Sequence, residues 1–117
     1  MNPFFQRTLR KMGLSVGRLV EDFPPEDEQG LGTRLLSAVS SIPTSTSRAE
    51  RSHDSTERRR HLGEARGSAS EAAYLVGLAQ EQGYGRPEQA LSAAGRLDSV
   101  LAQLNGRRKK RPSEGSR

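Results

Sequence analysis

Apolar residues recur at three- and four-residue spacings along most of this chain, which is the period of a helix that buries one face. Asn2 offers a side-chain N-cap, and Pro3 suits the first helical position because its missing N–H would have no partner there. Phe23-Pro24-Pro25 interrupts the pattern. We therefore predict a first helix that begins at Pro3 and ends before Phe23. Its apolar stripe consists of Phe5, Leu9, Met12, Val16, Leu19 and Val20.

A second stripe at the helical period consists of Leu31, Leu35, Ala38, Val39 and Ile42. Pro43 follows it directly, and a proline inside a helix removes one backbone hydrogen bond and clashes with the preceding turn. Residues 44–52 are then mostly Ser, Thr and Arg. We predict a second helix that Pro43 kinks or ends, followed by a polar connection.

A third and longest helix is predicted to begin after Asp54, because Asp54 and Glu57 have the spacing of a capping box. No proline interrupts the chain from there to Gln82, which allows a helix of roughly 28 residues, or about 42 Å at 1.5 Å per residue. Gly83 is suitably placed to end it in the left-handed conformation.

Pro87 begins a fourth helix, and Asn105-Gly106 is expected to stop it. Its stripe consists of Ala90, Leu91, Ala94, Leu97, Leu101 and Leu104. Four amphipathic helices with short connections, and no plausible strand, predict an all-α fold. We expect residues 1–105 to form an up-and-down four-helix bundle.

Three glycines stand inside the third helix at Gly63, Gly67 and Gly77. A glycine in a helix interior costs roughly 1 kcal/mol relative to alanine, so we expect close approach of another helix as compensation. The neighbours could be the other bundle helices alone, or a second subunit as well. The predicted packing or subunit interface consists of Gly63, Gly67, Ala69, Ala72, Tyr74 and Gly77.

The length of 117 residues fits one domain, but a hydrophobic content of 32% is low for a self-sufficient core of that size. Self-association would relieve this shortage. The chain has no cysteine, which excludes disulfides and makes the reducing cytoplasm the simplest location. No stretch has the pattern of a signal peptide or a membrane span.

The net charge of +5 lies entirely at the C-terminus, because residues 1–105 carry 13 Lys+Arg and 13 Asp+Glu. Residues 106–117 are expected to form a disordered basic tail, since they contain almost no apolar residue. Five cations that each neutralise a phosphate of single-stranded RNA would give log K a slope of about −3.5 against log salt. The alternative is that the tail serves only to keep the protein soluble. The cluster consists of Arg107, Arg108, Lys109, Lys110 and Arg111.

Two further basic groups lie within the predicted bundle. One flanks the start of the third helix, where Glu50, Asp54 and Glu57 offset part of its charge, so a solvated and salt-bridged surface is an alternative to nucleic-acid binding. The other lies on the first helix, opposite its apolar stripe. The two groups are Arg48, Arg51, Arg58, Arg59 and Arg60, and Arg7, Arg10, Lys11 and Arg18.

Catalysis is not expected. His53 and His61 are the only histidines, and no third ligand stands near them at metal-binding spacing. The segment around His53-Asp54 reads more simply as a helix cap than as part of a hydrolytic triad. We expect no metal, no cofactor and no enzymatic activity.

The central part of the chain contains a series of short motifs, which are Phe23-Pro24, Gly30-Leu31, Ala38, Ser41-Ile42-Pro43, Ala65-Arg66-Gly67-Ser68, Glu71, Leu78-Ala79 and Gly83-Tyr84. Together these motifs resemble the signature of bacterial four-helix-bundle proteins named after intervening sequences of large-subunit ribosomal RNA. That family is similar to the accessory variability determinant (Avd) proteins of diversity-generating retroelements. Those proteins form homopentameric barrels that bind nucleic acid and a reverse transcriptase.

The resemblance implies a homopentamer that acts as a noncatalytic, nucleic-acid-binding accessory to a reverse transcriptase. The chain departs from the family pattern at Arg58, His61 and Glu64, where relatives commonly carry aromatic or aliphatic residues. These departures make the start of the third helix more available to an anionic partner. The alternatives are a protein-interaction scaffold and a ribosome-associated protein without a reverse-transcriptase role.

Overall fold

The computed structural model describes residues 1–115, with the side chains of residues 1–106. The described chain folds into four helices and contains no strand. This confirms the predicted all-α bundle. The helices are α1 Pro3–Glu21, α2 Leu31–Arg51, α3 Ser55–Glu81 and α4 Pro87–Gly115.

Each helix packs against the next one in the chain, and α4 returns to pack against α1. The most extensive contact joins α2 and α3, whereas α1 and α2 touch least. The N-terminal ammonium of Met1 lies 2.7 Å from Glu50 Oε1, which brings the start of α1 beside the end of α2. The result is an elongated body of 52 × 22 × 22 Å.

The predicted apolar stripes of α1 and α2 form the core, apart from Val20, which is only half-buried. The stripe of α4 differs from the prediction, because Leu91 is 67% exposed while Ala93 and Val100 are fully buried. Leu91 directly follows the buried Ala90, and one residue turns a helix by about 100°, which places Leu91 outside the buried face that Ala90, Ala93 and Leu97 share. The buried face of α4 consists of Ala90, Ala93, Leu97, Val100 and Leu104.

Pro43 does not end α2, which continues to Arg51. The Ser and Thr residues that indicated a polar connection are instead accommodated in the helix by bonds to its own carbonyls. Thr46 Oγ1 donates to the Ile42 carbonyl at 2.8 Å, and Thr44 Oγ1 donates to the Ser40 carbonyl at 3.3 Å. Because Thr46 satisfies its hydroxyl in this way, it can be fully buried in the bundle.

The predicted helix starts are confirmed by their caps. Asn2 Oδ1 accepts a hydrogen bond from the Phe4 backbone N–H at 2.7 Å, and Asp54 Oδ1 accepts one from the Thr56 N–H at 3.2 Å. These bonds satisfy backbone donors that have no partner within the first turn of a helix.

Helix α3 ends in a Schellman motif, as Gly83 predicted. Tyr84 N–H donates to the Ala79 carbonyl at 2.9 Å, and Gly83 N–H donates to the Gln80 carbonyl at 3.0 Å. Gly83 has φ +74°, a conformation that favours glycine. By contrast, the backbone of α4 continues past Asn105-Gly106, where we expected it to stop, because Gly106 does not adopt a positive φ.

The glycines of α3 do not mark a close helix approach within this chain. A β-carbon added at Gly67 or Gly77 would meet no described atom within 4 Å, and one at Gly63 would meet only Arg66 Nη2 at 3.6 Å. The close contacts of α3 are made by alanines, because Ala69 and Ala72 are fully buried in the bundle. Tyr74 is 64% exposed. A subunit interface at these positions stays a prediction.

Candidate nucleic-acid interface

Two side-chain bridges show which parts of the antiparallel helices lie at the same height. Ser41 Oγ donates to Ser68 Oγ at 2.6 Å between α2 and α3. Gln103 Nε2 donates to Thr8 Oγ1 at 3.0 Å between α4 and α1. The first third of α1, the second half of α2, the first half of α3 and the last part of α4 therefore share one end of the bundle.

The two ends of the bundle carry opposite charge. The basic end comprises residues 1–11, 41–68 and 98–106, and the acidic end comprises residues 12–40 and 69–97. The basic end has nine Lys+Arg against five Asp+Glu, a formal charge of +4. The acidic end has four Lys+Arg against eight Asp+Glu, a formal charge of −4. The bundle is therefore neutral in total but strongly polar along its long axis.

The basic tail predicted from the sequence continues from the basic end, because Gly106, which precedes it in the chain, belongs to that end. Its side chains, Arg107, Arg108, Lys109, Lys110 and Arg111, lie outside the described residues. Residues 106–117 carry six basic residues and one acidic residue, which adds a formal +5 on the same side as the +4 of the bundle.

Two arginines at the start of α3 interact with other groups of the protein. Arg58 is half-buried, and its Nη2 donates to the Ser52 carbonyl at 3.0 Å, just after the end of α2. Arg60 Nη1 lies 3.3 Å from Glu64 Oε2, and Arg60 Nη2 lies 3.8 Å from Glu57 Oε2. The alternative of a solvated and salt-bridged surface therefore holds for part of the basic group around the start of α3.

The remaining arginines of this group are exposed at the basic end. Arg59 is exposed on the first turns of α3, and Arg48 and Arg51 are exposed in the last turn of α2. Cations in the last turn of a helix also interact favourably with the negative end of its dipole. These three side chains are therefore better placed than Arg58 to meet an anionic partner.

The basic residues of α1 divide between the two ends. Arg10 is exposed at the basic end, and Arg7 and Lys11 line a cleft between α1 and α4. Arg18 lies about 10 Å further along the helix than Lys11, at 1.5 Å per residue, and belongs to the acidic end. That Arg18 binds nucleic acid together with the other three stays a prediction.

The cleft between α1 and α4 has a volume of about 200 Å³. Sequence reasoning missed Arg96, because it is an isolated cation in the sequence and its nearest charged neighbour there is Asp98. The signal for it was the spacing of Arg96, Ser99 and Gln103, which places them on one face of α4. The lining residues are Phe4, Arg7, Thr8, Lys11, Arg96, Ser99 and Gln103.

The family profile of the 23S rRNA-intervening sequence protein matches residues 6–106. The chain belongs to this family. A comparison with curated proteins gives no significant match.

The match to the 23S rRNA-intervening sequence protein family covers the four-helix bundle and the lining of the cleft except Phe4. The cluster that begins at Arg107 lies beyond the matched residues. Within the described part of this family member, no helix combines the length and apolar content that a membrane span needs.

The two histidines of this 23S rRNA-intervening sequence protein family member do not form a metal site with other described residues, since no three His, Asp or Glu side chains gather there. His53 is exposed. His61 Nδ1 donates to Glu64 Oε1 at 2.9 Å. This hydrogen bond, together with the nearby positive charges of His61 and Arg60, lowers the pKa of the Glu64 carboxyl below its ordinary value.

Proposed function

We propose that this protein is a noncatalytic nucleic-acid-binding protein that contacts RNA or DNA through its basic end. The observation that carries the proposal is the separation of +4 and −4 between the two ends of an otherwise neutral bundle. The tail attached to the positive end raises the charge on that side further. A polyanion approaching this field is attracted to one end and repelled by the other, which orients the complex.

The proposed mechanism is electrostatic. Exposed cations such as Arg10, Arg51 and Arg59 neutralise phosphates and release condensed counterions. Contacts of this kind hold and position a nucleic acid but do not read its sequence. The protein would therefore hold many sequences with similar affinity.

The salt dependence of RNA binding tests this proposal. For the full chain, we expect the affinity for a labelled single-stranded RNA to fall steeply as salt rises. A chain cut after Gly106 loses five clustered cations, so the slope of log K against log salt should become shallower by up to about 3.5, at roughly 0.7 per lost contact. A full chain that binds no RNA even at low salt would refute the proposal.

A matched variant separates the basic end from general charge effects. Arg34→Gln removes one exposed cation from the acidic end, whereas Arg10→Gln removes one from the basic end. Both variants change the net charge equally. We expect RNA affinity to fall in Arg10→Gln and to stay unchanged in Arg34→Gln.

The more specific part of the proposal is that the protein serves in the cytoplasm as a homopentameric accessory to a reverse transcriptase of a diversity-generating retroelement, near its template RNA and cDNA. Its support is the resemblance of the central motifs to relatives of the Avd proteins. Five copies of the basic end would raise the avidity for one nucleic acid strand. Native mass measurement tests the subunit number, and co-purification with a co-expressed reverse transcriptase tests the partner.

A protein-interaction scaffold, or a ribosome-associated protein, is the second candidate. Its support is the exposure of large apolar side chains, with Leu91 67% and Tyr74 64% exposed. Aromatic residues such as tyrosine are enriched in surfaces that another protein covers. This candidate predicts a stable protein complex whose formation is insensitive to removal of the tail.

A further inference from the structure

We propose that the cleft between α1 and α4 binds a phosphate of a single-stranded nucleic acid, and that Phe4 stacks with a neighbouring unpaired base. The inference rests on the proposed function and deepens it, because it assigns one built site that lies mostly in the basic end and reaches Arg96 at the edge of the acidic end. It adds Arg96 and Phe4, neither of which is part of the basic clusters visible in the sequence.

Both walls of the cleft are stripes of single helices. On α1, Phe4, Arg7 and Lys11 are spaced by three and four residues, so they lie on one face. On α4, Arg96 and Ser99 follow the same rule. The hydrogen bond of 3.0 Å between Gln103 Nε2 and Thr8 Oγ1 ties the two walls together and holds their separation.

The chemistry of the lining fits a phosphodiester. Arg7, Lys11 and Arg96 are three cations on one cleft, and the lining contains no carboxylate. Within the described residues, no salt bridge engages any of the three. Guanidinium groups bind phosphate oxygens through paired hydrogen bonds, and a lysine supplies a compact positive charge. A phosphate would supply the missing negative charge.

The size of the cleft also fits. A water molecule occupies roughly 30 Å³ in the liquid, so a volume of about 200 Å³ holds several waters, which one phosphate group can replace. The lining residues are exposed or half-buried, so the cleft opens to solvent and a nucleic acid strand can reach it.

Phe4 indicates a single strand. Its ring is 59% exposed at the edge of a basic cleft, and the Arg7 guanidinium lies 5.8 Å from the ring centre. An unpaired base can cover such an aromatic surface, whereas a base within a duplex is already stacked on both faces. Phe4 is therefore an exception to the general placement of aromatic residues on the apolar stripes of this chain.

The test measures binding of the full chain to a labelled oligouridylate and to an RNA duplex of the same length. Arg96→Gln should lower affinity for both by about tenfold and reduce the salt slope by about 0.7 for the single strand. Phe4→Ala should lower affinity for the single strand by roughly fivefold or more and leave the duplex unchanged. Both side chains are exposed, so circular dichroism should show intact folds.

Arg34→Gln at the acidic end is the matched control. If the full chain binds RNA and both cleft variants bind as well as Arg34→Gln, the cleft is not a binding site, although the proposed function stands. If Phe4→Ala weakens duplex and single strand equally, the assignment to a single strand is overturned. If the unmodified chain binds neither probe, the proposed function fails and the cleft assignment fails with it.

Discussion

Gly85 lies directly against Leu19, at the point where the connection between α3 and α4 crosses the end of α1. A β-carbon built on Gly85 would be only 2.6 Å from Leu19 Cδ1. Leu19 is fully buried, and Gly85 has φ +72°. A side chain at position 85 would therefore have to adopt an unfavourable backbone conformation and also displace Leu19.

The first prediction compares alanine at the two glycines of this connection. Gly83 also has a positive φ, of 74°, but a β-carbon there would meet no described atom within 4 Å. Gly83→Ala should cost about 1–2 kcal/mol, from the left-handed conformation alone. Gly85→Ala should cost more, because the new methyl group also collides with Leu19. Equal losses in thermal denaturation would show that Leu19 moves aside without cost.

The second prediction concerns Gly67, which is exposed in the middle of α3 with open space around it. Gly67→Ala should stabilise the protein by about 1 kcal/mol, because alanine has the higher helix propensity. For a domain of this size, that corresponds to a rise in Tm of about 4 °C. A fall in Tm would indicate that position 67 is packed against something other than the described chain.

A bulkier substitution at the same position tests the predicted subunit interface. Gly67→Leu leaves the isolated bundle undisturbed, since the site is open in one copy. If a second subunit packs there, Gly67→Leu should reduce the native mass to that of a smaller species. An unchanged assembly, with a Tm no lower than that of the unmodified chain, would exclude Gly67 from any interface.

The third prediction separates a structural arginine from a binding arginine. Arg58 donates to the Ser52 carbonyl, so Arg58→Gln should destabilise the fold by about 1 kcal/mol. Arg59 is exposed, so Arg59→Gln should change stability by less than about 0.5 kcal/mol but should weaken RNA binding. Thermal denaturation and RNA titration of both variants check this. The opposite assignment of effects would contradict it.

The fourth prediction follows from the lowered pKa of Glu64, whose carboxylate accepts a hydrogen bond from His61. A carboxyl with a depressed pKa in the folded state contributes stability above the unfolded pKa of about 4.3, and this contribution is lost as the pH falls through the folded pKa. Glu64→Gln should therefore lower Tm at pH 7. The difference from the unmodified chain should shrink steadily below pH of about 4.

Glu71→Gln is the control for this experiment, because Glu71 is an exposed carboxylate on the same helix. Its effect on Tm should depend less on pH than that of Glu64→Gln. A constant Tm difference for Glu64→Gln across the acid range would show that its ionised carboxylate does not stabilise the fold.

Local signals in the sequence predicted most of the fold. The N-caps at Asn2 and Asp54 and the glycine after α3 depend on residues within one turn of the helix end, and all three are as expected. The prediction was less successful where a local rule competes with packing. Pro43 lies inside α2 because the helix beyond it buries Thr46 and Ala49 against the core.

The candidate site was only partly visible in the sequence. Clusters such as the one around Arg59 stand out because their members are neighbours in the chain. Arg96 does not, because it is 85 residues from Lys11 and reaches the same cleft only after α4 packs against α1. The difference between Arg58 and Arg59 was also hidden, since it depends on which side chain reaches the end of α2.

The sequence by itself determined the number, the order and most of the limits of the helices, because periodicity and capping act over a few residues. Only the tertiary structure decided which side of α4 is buried, with Leu91 outside and Val100 inside, because a helix can turn about its axis until its neighbours hold it. It also decided the polarity of the bundle. Antiparallel packing brings charges from distant segments to the same end. The net charge of the chain is the same wherever these charges lie in space, so it cannot show that arrangement.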